Sequence, residues 1–212
     1  MNTPGSVCIV MDFTTDVERE SKRLHDVIST ADLERPVPSC PGWTLADLTW
    51  HIAEVQEFWA QIAGRLLESP DDVDRVERPA DQELADLLRT QSTNLVDALR
   101  ARRPDDACWS WFDEGRTVGW VARRQAHEAL IHRVDAELGA GIDIADIGPE
   151  LAADGIDELL TIFLDASDIP DWSQFTADGR SCLIDTTDTG DRWQVSLGRF
   201  HGTSPTLSLI HI

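Results

Sequence analysis

The chain has 212 residues, with 18 basic against 39 acidic side chains and a formal net charge of −21 at pH 7. At about 150 residues per domain this allows one full domain and part of a second, and about 70% of the unfolded surface can be buried without help from disulfides or metals. The 42% hydrophobic and 27% charged content excludes wholesale disorder, so acid a surface repels phosphate backbones and anionic lipid, and no apolar run approaches the ~20 residues of a membrane-spanning helix. No nucleic-acid or membrane partner is expected.

Residues 1–11 hold an apolar patch too short for a signal peptide and lacking a basic flank, so they read as a flexible N-terminal extension of a cytoplasmic chain. Met11 heads an acidic, helix-like segment and is a second candidate start. Cys8, Cys40, Cys108 and Cys182 show no CxxC spacing and are expected as thiols. Lys22 is the only lysine, a bias towards arginine that fits a GC-rich genome.

The first helix is predicted from Asp12 to Thr30, with Val17, Ser21, Leu24 and Ile28 in a stripe at helical spacing. ERPVPSCPGW follows, where three prolines and a glycine forbid regular structure. Thr44 then caps a second helix, with Asp47 as capping-box partner and a stripe of Leu45, Leu48, Ile52, Val55, Trp59, Ile62 and Leu66. Pro70 and the acidic run after it end that helix. A third is predicted over Asp81–Arg103 with Leu84, Leu87, Leu88, Leu95 and Leu99 inward, and its last turn carries Arg100, Arg102 and Arg103, where cations suit the helix dipole. Pro104–Gly119 reads as a loop holding Trp109, Trp111 and Phe112, and a fourth helix runs from about Trp120 to Leu138, stopped by Gly139 and Gly141. Four such helices, none able to bury its stripe alone, predict a helix bundle over residues 12–141.

After Gly141 the texture changes. Pro149–Ala166 reads as one more helix, Cys182–Thr186 and Trp193–Leu197 as strands, and Asp188–Asp191 as the turn between them. Residues 142–206 are thus expected to form a partial α+β domain. A hairpin alone is marginal in water and wants further strands. The final LSLIHI reads as a translation of CTG-TCT-CTT-ATA-CAC-ATC, the transposase adaptor of sequencing libraries. Leu207–Ile212 are therefore expected to be a non-native tail on a longer natural protein, and His211 is no ligand candidate.

Chemistry concentrates in the fourth helix, RRQAHEALIHRVDAE. Glu128 and His132 are four apart and share a face, whereas His127 lies roughly 140° round the helix from His132. His51 sits at the edge of the second helix's stripe. Facing helices could unite His51, Glu128 and His132 into a two-histidine, one-carboxylate set with an open position, suited to Zn²⁺. Spacing alone leaves other readings open: a histidine beside a stripe is as readily a packed side chain, and Glu-x-x-x-His a solvated pair.

Residues 39–52, SCPGWTLADLTWHI, and 123–139, RRQAHEALIHRVDAELG, resemble the mycothiol-dependent maleylpyruvate isomerase family. The pairing of Pro-Gly-Trp-Thr before a histidine helix with His-Glu-x-x-x-His-Arg-x-Asp is specific, and the similarity covers residues 12–140 well and the start of a second domain over 145–200. The resemblance implies a mainly α fold: a DinB-like four-helix bundle followed by an incomplete α+β, sterol-carrier-like domain. It implies a divalent metal, usually zinc, on His51, Glu128 and His132, and mycothiol as cosubstrate, a thiol of actinobacteria. It also implies an activity: metal-assisted isomerisation of an electrophile such as maleylpyruvate, or thiol S-transfer. The alternative is a non-catalytic metal-binding regulatory or interaction module on the same bundle.

Because the nucleophile arrives with the cosubstrate, no protein residue beyond the ligands is required as a catalyst. Cys40 is expected as a small buried loop residue and His25 as chemically idle. Spacing offers Asp47 and Asp135 to orient the imidazoles and Arg124 to pair with Glu128 or a substrate carboxylate, with solvated surface charge as the alternative for each; the tryptophans mostly fill the core, with Trp43, Trp50 and Trp120 near enough in sequence to wall the site.

Overall fold

A computed structural model describes residues 11–164 and 173–202. Residues 1–10 of the expected extension, with Cys8, and the expected tail Leu207–Ile212 lie outside the described residues. The chain divides into two compact units, Met1–Ile144 and Ala145–Ile212.

The first unit is a bundle of α1 (Phe13–Ile28), α2 (Leu45–Arg65), α3 (Leu84–Arg100) and α4 (Val118–Ala140). Local signals set the ends. Asp12 caps α1 by accepting from the Thr15 amide at 3.2 Å. Both halves of the predicted capping box close on α2: Thr44 Oγ1 accepts from the Asp47 amide at 3.2 Å, and Asp47 Oδ2 accepts from the Thr44 amide at 3.0 Å. The fourth helix runs through Gly139, rather than ending there; glycine at that position serves close packing, since a Cβ there would lie 2.7 Å from Leu45 Cδ2. Gly141 ends the helix instead, with φ 68° and its amide donating to Glu137 and Leu138 carbonyls.

Side-chain pairs fix the topology. Glu20–Arg133 and Arg23–Glu137 run in the same sense along α1 and α4, as do Gln56–Ser92 and Gly64–Ala98 along α2 and α3. His51 with Glu128 and Trp59 with Trp120 run in opposite senses along α2 and α4. The bundle is therefore up–down–down–up, which places α2 and α4 antiparallel. Leu24, Ile28, Leu45, Leu48, Ile52 and Leu88 form the core, with Val37 from the proline-rich loop packed in as well. Burying each such side chain contributes ~1.5–3 kcal/mol.

The fourth helix is unlike the other three. Arg124, Gln125, His127, Glu128, His132, Arg133, Asp135 and Glu137 are all buried in it, so its polar residues point inward and must be satisfied there. Six of them fall into two groups. Arg133 and Glu137 face α1, where Arg133 Nε meets Glu20 Oε2 at 2.9 Å, Arg133 Nη1 meets Glu137 Oε2 at 2.8 Å, and Arg23 Nε meets Glu137 Oε1 at 2.8 Å. Arg124, Glu128, His132 and Asp135 form the second group.

In the second unit α5 (Pro149–Glu158) passes into a wider π-helical turn at Leu159–Phe163. The strands β1 (Ser173–Asp185) and β2 (Arg192–Gly202) pair antiparallel and are longer than the alternation predicts. A register shift between Ala177 and Ser181, with Gly179 at φ 83°, breaks the period there and hides the outer half of β1 from a pattern of alternating residues. Trp193 Nε1 donates to Asp157 Oδ1 at 3.1 Å and ties the hairpin to α5.

Candidate metal centre

The antiparallel crossing of α2 and α4 brings His51, Glu128 and His132 together, with one ligand-type atom from each within 4.8 Å of the others. Glu128 Oε1 is the common point, 3.6 Å from His51 Nε2 and 3.2 Å from His132 Nε2. Both Nε2 atoms are buried and neither has a hydrogen-bond partner. Buried polar atoms are ordinarily paired, so two orphaned ring nitrogens converging on one carboxylate oxygen need an explanation. Two imidazoles and a carboxylate are a donor set that a borderline cation such as Zn²⁺ accepts, so the residues present fit a divalent metal.

The surrounding groups hold these atoms in place. His132 Nδ1 donates to Asp135 Oδ2 at 2.9 Å, which holds one proton on Nδ1, so that loss of the other would leave the Nε2 lone pair facing the cluster. Asp135 is itself held by the proline-rich loop: Ser39 Oγ donates to Oδ1 at 2.5 Å, and Cys40 Sγ lies 3.7 Å from Oδ2. Arg124 Nη2 meets Glu128 Oε2 at 2.5 Å, four residues back on the same face. The rings of His51 and His132 meet edge to face at 5.1 Å, and Trp43 lies against His51 at 5.0 Å.

Electrostatics follow the geometry. Burial opposes ionisation of Glu128, but His132, His51 and Arg124 overcome it and hold the carboxyl well below its ordinary range. Burial likewise opposes charging His132, yet Asp135 and Glu128 raise its pKa to about 9. Without a cation, His132 therefore carries a proton at neutral pH, which a cation entering the site must displace. Burial first, then Asp135, pushes the Cys40 thiol to about 11, so it stays protonated and makes a poor nucleophile. It is only half-buried, less enclosed than expected.

The remaining sequence candidates fall elsewhere. Asp47 is engaged by the α2 cap and by Arg78 Nη1 at 2.7 Å, and the Thr44 amide and Arg78 hold its carboxyl at about 2. It is committed to the helix start and not to the His51 ring. His127 packs edge-on to Phe13 at 6.1 Å and contributes no atom to the cluster. His25 bonds with Ser29 on α1, its Nε2 3.2 Å from the hydroxyl. Trp50 is half-buried on α2. Trp120 stacks on Phe112 and packs tilted against Trp59 and edge to face with Trp111, two turns before Glu128 and so about 12 Å along α4. The contacts of Ser39 and Cys40 with Asp135 had no signal in the sequence, since they span 96 and 95 residues.

Among the described residues no helix is long and apolar enough to cross a membrane. No curated protein and no solved structure matches the chain significantly. Residues 14–137 match the family model described as mycothiol maleylpyruvate isomerase N-terminal domain, a span that takes in all four bundle helices but the last turn of α4 and the first residue of α1, and includes every residue of the cluster. The chain belongs to the mycothiol maleylpyruvate isomerase N-terminal domain family.

Proposed function

We propose that the bundle is the metal-binding domain of a mycothiol-using enzyme, with His51, Glu128 and His132 as ligands of one divalent cation, Zn²⁺ by preference. The observation that carries this reading is the convergence of two buried Nε2 atoms, of His51 and His132, on Glu128 Oε1 without a well-directed hydrogen bond to it. Family membership supports a thiol cosubstrate and a maleylpyruvate-like electrophile.

A divalent cation bound there would stabilise the thiolate of a low-molecular-weight thiol, whose free pKa of about 8.5 leaves it mostly protonated at neutral pH. The chain's own residues prepare for this. Asp135 fixes the tautomer of His132 so that Nε2 is a donor atom, Ser39 fixes Asp135, and Arg124 balances the charge of Glu128. Cys40, held protonated, does not compete with the incoming thiol. The thiolate adds to the electrophile's double bond, the resulting single bond rotates, and the same thiolate leaves, giving cis-to-trans isomerisation with nothing consumed. Where the electrophile retains the sulfur, the outcome is S-transfer.

The test is elemental analysis of purified protein, followed by mycothiol-dependent turnover with maleylpyruvate and with a generic electrophile. About one Zn²⁺ per chain and thiol-dependent turnover are expected. Metal bound without turnover of either compound would favour the non-catalytic module.

A further inference from the structure

Granting that the three-residue cluster holds a metal, we propose that Arg124 is a positioning residue that restricts Glu128 to ligation through a single oxygen. It thereby keeps the remaining coordination positions open for the thiolate and the electrophile.

The argument starts from the two oxygens of Glu128, which have different neighbours. Oε1 faces the two imidazole nitrogens at 3.6 and 3.2 Å, whereas Oε2 meets the Arg124 guanidinium at 2.5 Å. A carboxylate near a cation can bind through one oxygen or both, and the second mode uses up a position. A charge-assisted hydrogen bond this short is among the stronger polar contacts a protein makes, and it competes for Oε2 directly. Burial sharpens the competition. Arg124 is 5% exposed and Glu128 8% exposed, so water cannot take over Oε2 cheaply if the guanidinium lets go.

Placement on the helix makes the arrangement rigid. Arg124 and Glu128 are one turn apart on the same face of α4, with His132 one turn further, so all three share one rigid backbone. Lysine would supply the charge but not the planar fork that fixes the angle of approach.

The experiment uses the full chain loaded with Co²⁺, whose visible absorption reports coordination number. The unmodified protein should give intense bands of a four-coordinate ion, and 2-mercaptoethanol should add a thiolate-to-metal band in the near ultraviolet. In Arg124→Met the visible bands should weaken severalfold as Oε2 joins the ion, and the thiol-induced band should shrink by a similar factor. Arg124→Lys should fall between the two. Arg124→Gln serves for the same comparison if the methionine variant does not fold, as judged by its far-ultraviolet circular dichroism.

Visible and thiol-induced bands in Arg124→Met identical to those of the unmodified protein overturn the role of Arg124 while leaving the metal site standing. Failure of the unmodified protein to bind Co²⁺ overturns the metal reading, and the role of Arg124 with it.

Discussion

Replacing Arg133 by methionine tests what joins α1 to α4. Arg133 is 1% exposed and bonds both Glu20 and Glu137, which are 3% and 0% exposed. Removing its guanidinium leaves two buried carboxylates short of a partner, although Arg19 remains 2.8 Å from Glu20 and Arg23 remains 2.8 Å from Glu137. Breaking a buried ion pair by deleting one member costs about 3–5 kcal/mol, and the two surviving arginines place the expected loss near the lower end, about 3 kcal/mol. For a chain of this size that lowers Tm by roughly 6–12 °C. Urea unfolding followed by tryptophan fluorescence measures it directly. The triple variant Glu20→Leu, Arg133→Met, Glu137→Leu removes the stranded charges as well, and should recover most of the loss. A cost below about 1 kcal/mol for Arg133→Met, or a triple variant weaker than the single one, would refute the claim that uncompensated buried charge is the source of the effect.

Four further outcomes are expected. His51→Ala, Glu128→Ala and His132→Ala should each abolish or strongly weaken metal binding measured by elemental analysis, while His127→Ala should retain it; equal loss from His127→Ala and Glu128→Ala would place the site on the wrong face of α4. Asp135→Asn should lower metal affinity about 10–100-fold in a competitive chelator titration, because the imidazole of His132 then faces a neutral amide in place of the carboxylate that holds its tautomer. Gly139→Ala should cost about 1–3 kcal/mol in chemical denaturation, since its new methyl would lie 2.7 Å from Leu45 Cδ2. The Asp47 carboxyl, lowered in the folded state from 3.8 to about 2, contributes stability that is present above pH 3.8 and lost as pH falls towards 2. The stability difference between the unmodified protein and Asp47→Asn should therefore shrink over that interval in thermal melts; its size is modest, because the side chain is 37% exposed and screened by solvent.

Legibility in the sequence followed the kind of physics involved. The four bundle helices, the Thr44–Asp47 box and the glycine after α4 were readable because caps and apolar periodicity are local. Spacing also put Glu128 and His132 on one face and His127 on another. It could not show that α4 is buried on nearly all sides, since a helix rich in Arg, Glu and His has the texture of a solvated one until its partners are in place. Asp47 shows a related limit: its four-residue offset from His51 suits an orienting role, but a helix N-terminus and Arg78 compete for the same carboxylate. Strand lengths were underestimated where β1 shifts register.

The neighbouring positions 132 and 133 give α4 a double duty. His132 turns towards His51 while Arg133, about 100° further round, is clamped to α1. Rotation of this helix about its axis is a single mechanical coordinate, and both sets of contacts read it. A twist large enough to carry His132 out of the cluster would tear Arg133 from Glu20 and Glu137 from Arg23. The ion network therefore acts as a torsional stop for the cluster, enforced from the side of α4 that faces α1. Substitutions among His51, Glu128 and His132 can change the chemistry of the cluster without altering that angle, whereas a change on α1 at Glu20 would remove one of the two ion pairs that set it.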